Sequence, residues 1–251
     1  MIRGIYILPN LFTMGNLFCG FFAIISAIKG DYATAATAVI VANIFDILDG
    51  KVARMMKATS RFGMEFDSLA DLVSFGVAPA LLIFQWSLSS FGRFGWLAAF
   101  LFTACGALRL ARFNVQVETL DKGVFNGLPI PAAASMLATT VLIADHLGAT
   151  GIERNIVLLL LCYALAFLMV SNFKYPAFKE SLLHSRVPFI ALVMLAMVFI
   201  VIAAEPEVSL FVLALAYTFS GPCKTLLGVT GLLRKRAPGR DRKSETETVV
   251  K

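Results

Sequence analysis

The chain has 251 residues, of which 59% are hydrophobic and only 15% charged, and its formal net charge is +6. Soluble domains average about 25% charged and 45–50% apolar residues, so this composition excludes most soluble enzyme folds. It also argues against a nucleic-acid-binding domain, because a positive charge is the usual result of cytoplasmic anchoring in membrane proteins. We therefore expect a polytopic membrane protein that binds membrane lipids and no nucleic acid.

Long apolar segments recur along the whole chain, and a membrane-spanning helix needs about 20 such residues. The predicted spans are 8–28, 33–54, 63–87, 95–113, 130–147, 155–172, 187–204 and 208–228. Their apolar runs are continuous rather than alternating, which favours helices over the strands of a barrel. The predicted fold class is all-α, a polytopic membrane helix bundle of about eight transmembrane helices. Residues 1–231 form one transmembrane domain, and the polar tail 232–251 is expected to be cytoplasmic and disordered.

The basic residues predict the orientation of these spans. If the N-terminus is cytoplasmic, only Lys29, Arg93 and Arg154 of the 22 Lys and Arg residues lie on the opposite side. Cytoplasmic loops carry the excess of Lys and Arg in multi-pass proteins. We therefore expect both termini on the cytoplasmic side of the cell membrane.

Acidic residues are concentrated in the second and third spans. Five of the chain's 16 acidic residues fall between positions 46 and 71, namely Asp46, Asp49, Glu65, Asp67 and Asp71. An ionised carboxylate at the centre of a membrane costs at least about 2.5–3.5 kcal/mol. Arg54 is the only obvious basic partner nearby, so ion pairing does not account for four aspartates. This concentration indicates a functional site.

Helical geometry predicts that the aspartates converge. At about 100° per residue, one face of the second span carries Asp46, Asp49, Gly50 and Ala53. A stripe on the third span carries Gly63, Asp67, Asp71 and Ser74. Residues 33–87 form a hairpin in which Asp46 and Asp71 lie about 12 Å from the cytoplasmic end, at 1.5 Å per residue. We expect one cleft that opens to the cytoplasm.

The chemistry of such a cleft follows from its ligands. Oxygen-only ligands favour hard cations, Mg²⁺ or Mn²⁺, with Ca²⁺ as an alternative. Four carboxylates suit a centre of two metal ions, which clamps phosphoryl oxygens during in-line displacement. Gly50, Ala53 and Gly63 leave room for a nucleotide, and Arg54 can pair with phosphate or carboxylate.

The sequence from Asp46 to Asp71 contains two motifs, DxxDGxxAR and GxxxDxxxD, which are separated by eight residues. This pattern resembles the signature of the CDP-alcohol phosphotransferase family. The resemblance implies a homodimeric enzyme that transfers the lipid phosphate of a CDP-linked lipid to an alcohol. It implies that Asp46, Asp49 and Asp67 are metal ligands and that Asp71 is both a ligand and the general base. The residues implied to hold the cytidine and diphosphate are Gly50, Ala53, Arg54 and Gly63.

Four further segments are similar to the phosphatidylserine synthase branch of that family. They are residues 8–20, 67–79, 108–114 and 125–131. The resemblance implies that CDP-diacylglycerol and L-serine react to give phosphatidylserine and CMP. Serine also brings a carboxylate, for which its pocket needs a spare cation. We therefore expect Arg109 and Arg112, beside Asn114, to bind the acceptor, although positive-inside anchoring is the alternative role for both arginines.

The polar residues of the first span, Asn10, Thr13 and Asn16, recur at helical spacing. They are expected either to line the nucleotide or headgroup pocket or to form interhelical hydrogen bonds.

Two alternative functions stay open at this point. The same chemistry could use glycerol 3-phosphate, an inositol phosphate or choline as the acceptor, although phosphorylated acceptors favour a more basic pocket. A cation transporter also places aspartates at mid-membrane, but transporters distribute their ligands over two related halves. The acidic residues of the second half here fall at predicted span ends or loops.

Overall fold

The computed structural model describes residues 7–56, 60–116, 124–148, 155–176 and 204–235, and most of these residues are helical. The first two helices, α1 (Ile7–Ile28) and α2 (Tyr32–Met55), are joined by a tight turn. Gly30 ends α1 in the left-handed region at φ 81°, which glycine adopts without strain. Asp31 caps α2, because its carboxylate accepts a hydrogen bond from the Thr34 N–H at 3.1 Å.

The third helix is continuous but irregular. It consists of α3 (Arg61–Asp71), a π-helical turn (Leu72–Val77) and α4 (Ala78–Trp86). Ser60 caps its start by accepting a hydrogen bond from the Gly63 N–H at 2.9 Å. In the π turn the Ala78 N–H donates to the Val73 carbonyl, five residues back. Pi turns within helices occur frequently at functional sites, and this one begins directly after Asp71.

Four more helices complete the described bundle: α5 (Arg93–Gln116), α6 (Ile130–His146), α7 (Ile156–Val170) and α8 (Pro206–Lys235). Two short strands, β1 (Val124–Asn126) and β2 (Lys174–Pro176), pair antiparallel with Phe125 opposite Tyr175. The sequence pattern did not predict them, because three residues are too few to show an alternating period. Gly127 follows β1 at φ 83°, where an added Cβ would meet the Met169 carbonyl.

Small residues allow the helices to pack closely. Helices α1 and α2 pack against each other, and five of their alanines are at most 1% exposed: Ala23, Ala27, Ala35, Ala36 and Ala42. Membrane helices commonly associate through such small residues, because they let the backbones approach each other. Elsewhere α5 packs on α7, and α6 packs between α2 and α8.

The predicted fold class is confirmed. Four helices are long and apolar enough to cross a membrane: Leu8–Ile28, Tyr32–Met55, Arg61–Trp86 and Arg93–Val115. Two shorter apolar helices, Ile130–His146 and Ile156–Val170, match two further predicted spans. The predicted span 187–204 lies outside the described residues, apart from its last residue. Helix α8 continues to Lys235, into the segment predicted as a tail, and residues 236–251 lie outside the described part of the chain.

Candidate active site

Three of the signature aspartates converge between α2 and the third helix. One carboxylate oxygen from each of Asp46, Asp67 and Asp71 lies within 4.8 Å of the other two. Asp49, one helical turn from Asp46, is not in this group, although its side chain is buried. Helix α1 packs against both α2 and α3 and thereby forms one wall of the site.

These carboxylates suit a divalent cation. Asp49 Oδ2 and Asp67 Oδ1 are buried and have no hydrogen-bond partner among the described residues. A buried carboxylate without a partner is costly, and three carboxylates this close repel one another. A hard cation coordinated by oxygen removes both costs, so the residues fit the Mg²⁺ or Mn²⁺ that was predicted for them.

A first cavity of about 440 Å³ lies beside Asp49 and Asp67. The four residues predicted to hold the nucleotide all line it: Gly50, Ala53, Arg54 and Gly63. An added Cβ at Gly50 would meet no atom within 4 Å, whereas one at Gly63 would lie 3.1 Å from the Ser60 hydroxyl. The fold itself therefore does not require glycine at position 50.

A second cavity of about 400 Å³ lies on the other side of Asp67. It is lined by Asp46, Asp67 and Asp71, and also by Arg109 and Asn114 of α5. The two cavities share four lining residues, Arg54, Met64, Asp67 and Phe113. Asp67 thus lines two adjoining cavities, with Asp49 in the first and Asp46 and Asp71 in the second.

The structure separates the two arginines that were predicted to bind the acceptor. Arg109 lines the second cavity, its charge interacts with Asp71, and its buried Nε has no hydrogen-bond partner among the described residues. Arg112 lines neither cavity, and its Nη2 donates to Asn172 Oδ1 at 2.9 Å. One guanidinium is therefore available to a ligand in the second cavity, and the other is held at the surface.

Asn114 lies in the second cavity and is held in place by α3. Its Nδ2 donates to the Ser68 hydroxyl at 3.0 Å. Ser68 was not singled out in the sequence, but it follows Asp67 directly and faces the same cavity.

The polar residues of α1 fulfil both of the roles that were expected for them. Asn10 and Thr13 line the first cavity together with Asp49, and the Thr13 hydroxyl donates to the Pro9 carbonyl at 3.2 Å. Asn16 lies deeper, and its Nδ2 donates to Asp71 Oδ1 at 2.9 Å. Helix α1 therefore lines the first cavity and also contacts the signature aspartate Asp71 directly.

Sequence reasoning missed Tyr217 on α8. Its hydroxyl group lies near enough to the Arg109 guanidinium for the two groups to interact electrostatically. Its ring packs on Tyr175 of β2, with 5.7 Å between the ring centroids. Because Tyr217 lies more than a hundred residues beyond Arg109 in an ordinary apolar helix, no local sequence signal could have identified it.

A second group of potential ligands lies at the opposite end of α6. His146 approaches Glu205 at 3.6 Å and Glu207 at 3.9 Å, and all three side chains are substantially exposed. At 1.5 Å per residue, about 24 Å of helix separates His146 from Ile130, which lines the second cavity. This group is therefore not part of the candidate active site.

Comparison with known proteins identifies the family of the chain. Residues 6–170 match the family model described as CDP-alcohol phosphatidyltransferase. A CDP-diacylglycerol–serine O-phosphatidyltransferase of Helicobacter pylori is 41% identical over 201 residues, which cover 79% of this chain and 84% of the relative. One of Bacillus subtilis is 36% identical over 174 residues, covering 69% of this chain and 92% of the relative.

An archaeal protein with a related name is similar as well. An archaetidylserine synthase of Methanothermobacter thermautotrophicus is 38% identical over 174 residues, covering 67% of this chain and 69% of the relative. The match of the family model includes all of α1 to α7, and with them both cavities and the four aspartates. The chain is a multi-pass membrane enzyme that belongs to the CDP-alcohol phosphatidyltransferase family.

Proposed function

We propose that this enzyme transfers the phosphatidyl group of CDP-diacylglycerol to L-serine, with phosphatidylserine and CMP as products. The observation that carries the proposal is the position of Arg109, which adds one guanidinium to a cavity that three of the signature aspartates line. The names of the relatives in Helicobacter and Bacillus support serine as the acceptor.

The first cavity receives the cytidine and the diphosphate. Gly50 and Gly63 leave the backbone accessible to the nucleotide, and Arg54 contacts the diphosphate. Asp46, Asp49, Asp67 and Asp71 would hold the divalent cations, which neutralise charge on the phosphoryl oxygens.

The second cavity receives serine. Arg109 pairs with the serine carboxylate, and Asn114 offers a further hydrogen bond. Both residues line the wall that also contains Asp71, so the serine hydroxyl lies near that carboxylate. Arg112 has no place in this proposal, because its guanidinium is bound to Asn172 outside both cavities.

Asp71 acts as the general base. It takes the proton of the serine hydroxyl while the hydroxyl oxygen attacks the phosphorus next to the diacylglycerol. A bond forms between that oxygen and phosphorus, the bond from phosphorus to the oxygen of CMP breaks, and CMP leaves. The main contribution of the chain to the rate is therefore to place two ligands in adjoining cavities on either side of the aspartates.

The excess of Lys and Arg in the predicted cytoplasmic loops supports an active site that opens to the cytoplasm, with both termini on that side of the cell membrane. The family resemblance supports a homodimer and a single transmembrane domain over residues 1–231. Accessibility of single introduced cysteines from each side of the membrane, and mass determination in detergent, test these assignments.

The experiment that tests the proposed function is CMP release from CDP-diacylglycerol by the purified protein, with Mn²⁺ or Mg²⁺, and with or without L-serine. We expect release that depends on serine and on the cation and that is lost in Asp71→Asn. The matched control is Glu65→Gln, which changes an exposed acidic residue of the same helix and is expected to leave release unchanged.

Three outcomes would contradict parts of the proposal. Release with glycerol 3-phosphate, an inositol phosphate or choline but not with serine would keep the chemistry and change the acceptor. Full activity of Asp71→Asn would remove the general base. No release with any alcohol, together with ion flux in liposomes, would favour transport.

A further inference from the structure

Asn16 of α1 makes a buried contact with the proposed general base. Its Nδ2 donates to Asp71 Oδ1 at 2.9 Å. Asn16 is completely buried and Asp71 is 8% exposed, so water does not compete effectively for this hydrogen bond. Asn16 lies outside the signature, 30 residues before its first aspartate.

Two further contacts fix α1 at this position. The Ser74 hydroxyl, in the π turn, donates to the Asn16 carbonyl at 2.9 Å. Gly20, one turn further along α1, lies so close to the π turn that an added Cβ would be 2.6 Å from Ser74 Cα. The backbone at Asn16 and the helix that carries Asp71 therefore have a fixed relative position.

The hydrogen bond determines how the Asp71 carboxylate is presented. With Oδ1 accepting from Asn16, the carboxylate cannot rotate freely about its last bond, and its second oxygen is left for ligands in the second cavity. An amide is a neutral donor, so it orients the carboxylate without supplying the full positive charge of an arginine or lysine. Such outer contacts typically orient the ligands of metal sites.

Asn16 is also poorly explained by stability alone. Its Oδ1 is buried and has no partner among the described residues. An unpartnered buried polar atom carries a desolvation cost, which offsets much of what the single hydrogen bond contributes. An apolar side chain would avoid this cost, so the amide has a role beyond packing.

We propose that Asn16 is a positioning residue of the reaction. It holds the Asp71 carboxylate so that the second carboxylate oxygen, Oδ2, points at the acceptor hydroxyl and the cation. This inference rests on the proposed role of Asp71. It predicts that loss of the amide impairs turnover and cation binding more than it impairs binding of either substrate.

The test compares Asn16→Leu with Asn43→Leu. Asn43 is a matched control, because its Nδ2 donates to the Ser135 hydroxyl at 2.8 Å between α2 and α6, and neither residue lines a cavity described above. For each variant we would measure kcat and KM for serine and CDP-diacylglycerol, the thermal midpoint, and Mn²⁺ affinity by titration calorimetry without substrate. Asn16→Ser, whose side chain is too short to reach Asp71, repeats the test if the leucine variant does not fold.

We expect Asn16→Leu to lower kcat, and to weaken Mn²⁺ binding, by about 10–100-fold, the usual range for lost outer contacts at metal sites. Both KM values should change little, and Asn43→Leu should lose thermal stability without these effects. Equal effects of the two leucine variants, or an Asn16→Leu variant with normal kcat and normal Mn²⁺ affinity, would overturn the inference. If the wild type releases no CMP with any alcohol, the proposed function fails, and the Mn²⁺ titrations still decide whether Asn16 positions Asp71.

Discussion

Replacement of Arg109 by leucine is the sharpest test of how serine binds. The guanidinium lines the second cavity beside Asp71, and its Nε has no hydrogen-bond partner among the described residues. A hydrogen bond to a charged group contributes about 1.5–3 kcal/mol, and each 1.36 kcal/mol is a factor of ten. We therefore expect Arg109→Leu to lower kcat/KM for serine by about 10–150-fold, mostly through KM.

The assay is CMP release against serine concentration, at saturating Mn²⁺ and CDP-diacylglycerol. Arg112→Leu is the informative comparison, because it removes an equal charge from the same helix at a side chain that bonds Asn172 and lines neither cavity. Its KM for serine should stay within about twofold of wild type, as for an ordinary surface substitution. Arg109→Lys should recover part of the loss, since lysine keeps the charge but not the bidentate fork.

The reasoning is refuted if Arg109→Leu binds serine normally. It is equally refuted if Arg112→Leu shows the larger rise in KM. A fall in kcat alone for Arg109→Leu, with KM for serine unchanged, would instead show that Arg109 acts on Asp71 and not on the acceptor.

Three further predictions concern the glycines and the cation. Gly50→Val should leave the thermal midpoint unchanged and raise KM for CDP-diacylglycerol, because only the ligand needs the space at position 50. Its control, Gly20→Val, should lower the midpoint, because Ser74 occupies the place of the new side chain. Gly127→Ala should lower the free energy of unfolding by about 1–3 kcal/mol, the usual cost of backbone strain. The alanine would have to adopt φ 83°, and its Cβ would also meet the Met169 carbonyl. Denaturant unfolding in detergent measures this loss. Chelation should lower the thermal midpoint, and added Mn²⁺ should raise it. At a free Mn²⁺ concentration of 100 times its dissociation constant, the free energy of unfolding should rise by about 2.7 kcal/mol. A midpoint insensitive to Mn²⁺ would contradict the metal site.

The sequence alone was sufficient for the membrane class, the helical fold and the family signature. A continuous apolar run satisfies its own backbone hydrogen bonds in lipid as a helix, and the first six predicted spans agree closely with helices α1 to α7. The spacing of the aspartates predicted that all four converge, and three of them do, whereas Asp49 lies outside the group. Periodicity puts Asp67 and Asp71 on one face of the third helix, and the short connection between the two helices brings that face to Asp46.

Tertiary structure decided which of the predicted residues share a cavity. Arg109 and Arg112 are nearly equivalent in the sequence, and only the packing of α5 turns one toward Asp71 and the other toward Asn172. The contact between Asn16 and Asp71 joins residues 55 positions apart, and it depends on the close approach of α1 to the π turn. Periodicity describes one helix at a time, whereas such contacts depend on how helices approach and rotate against one another, and this is determined by packing over the whole bundle.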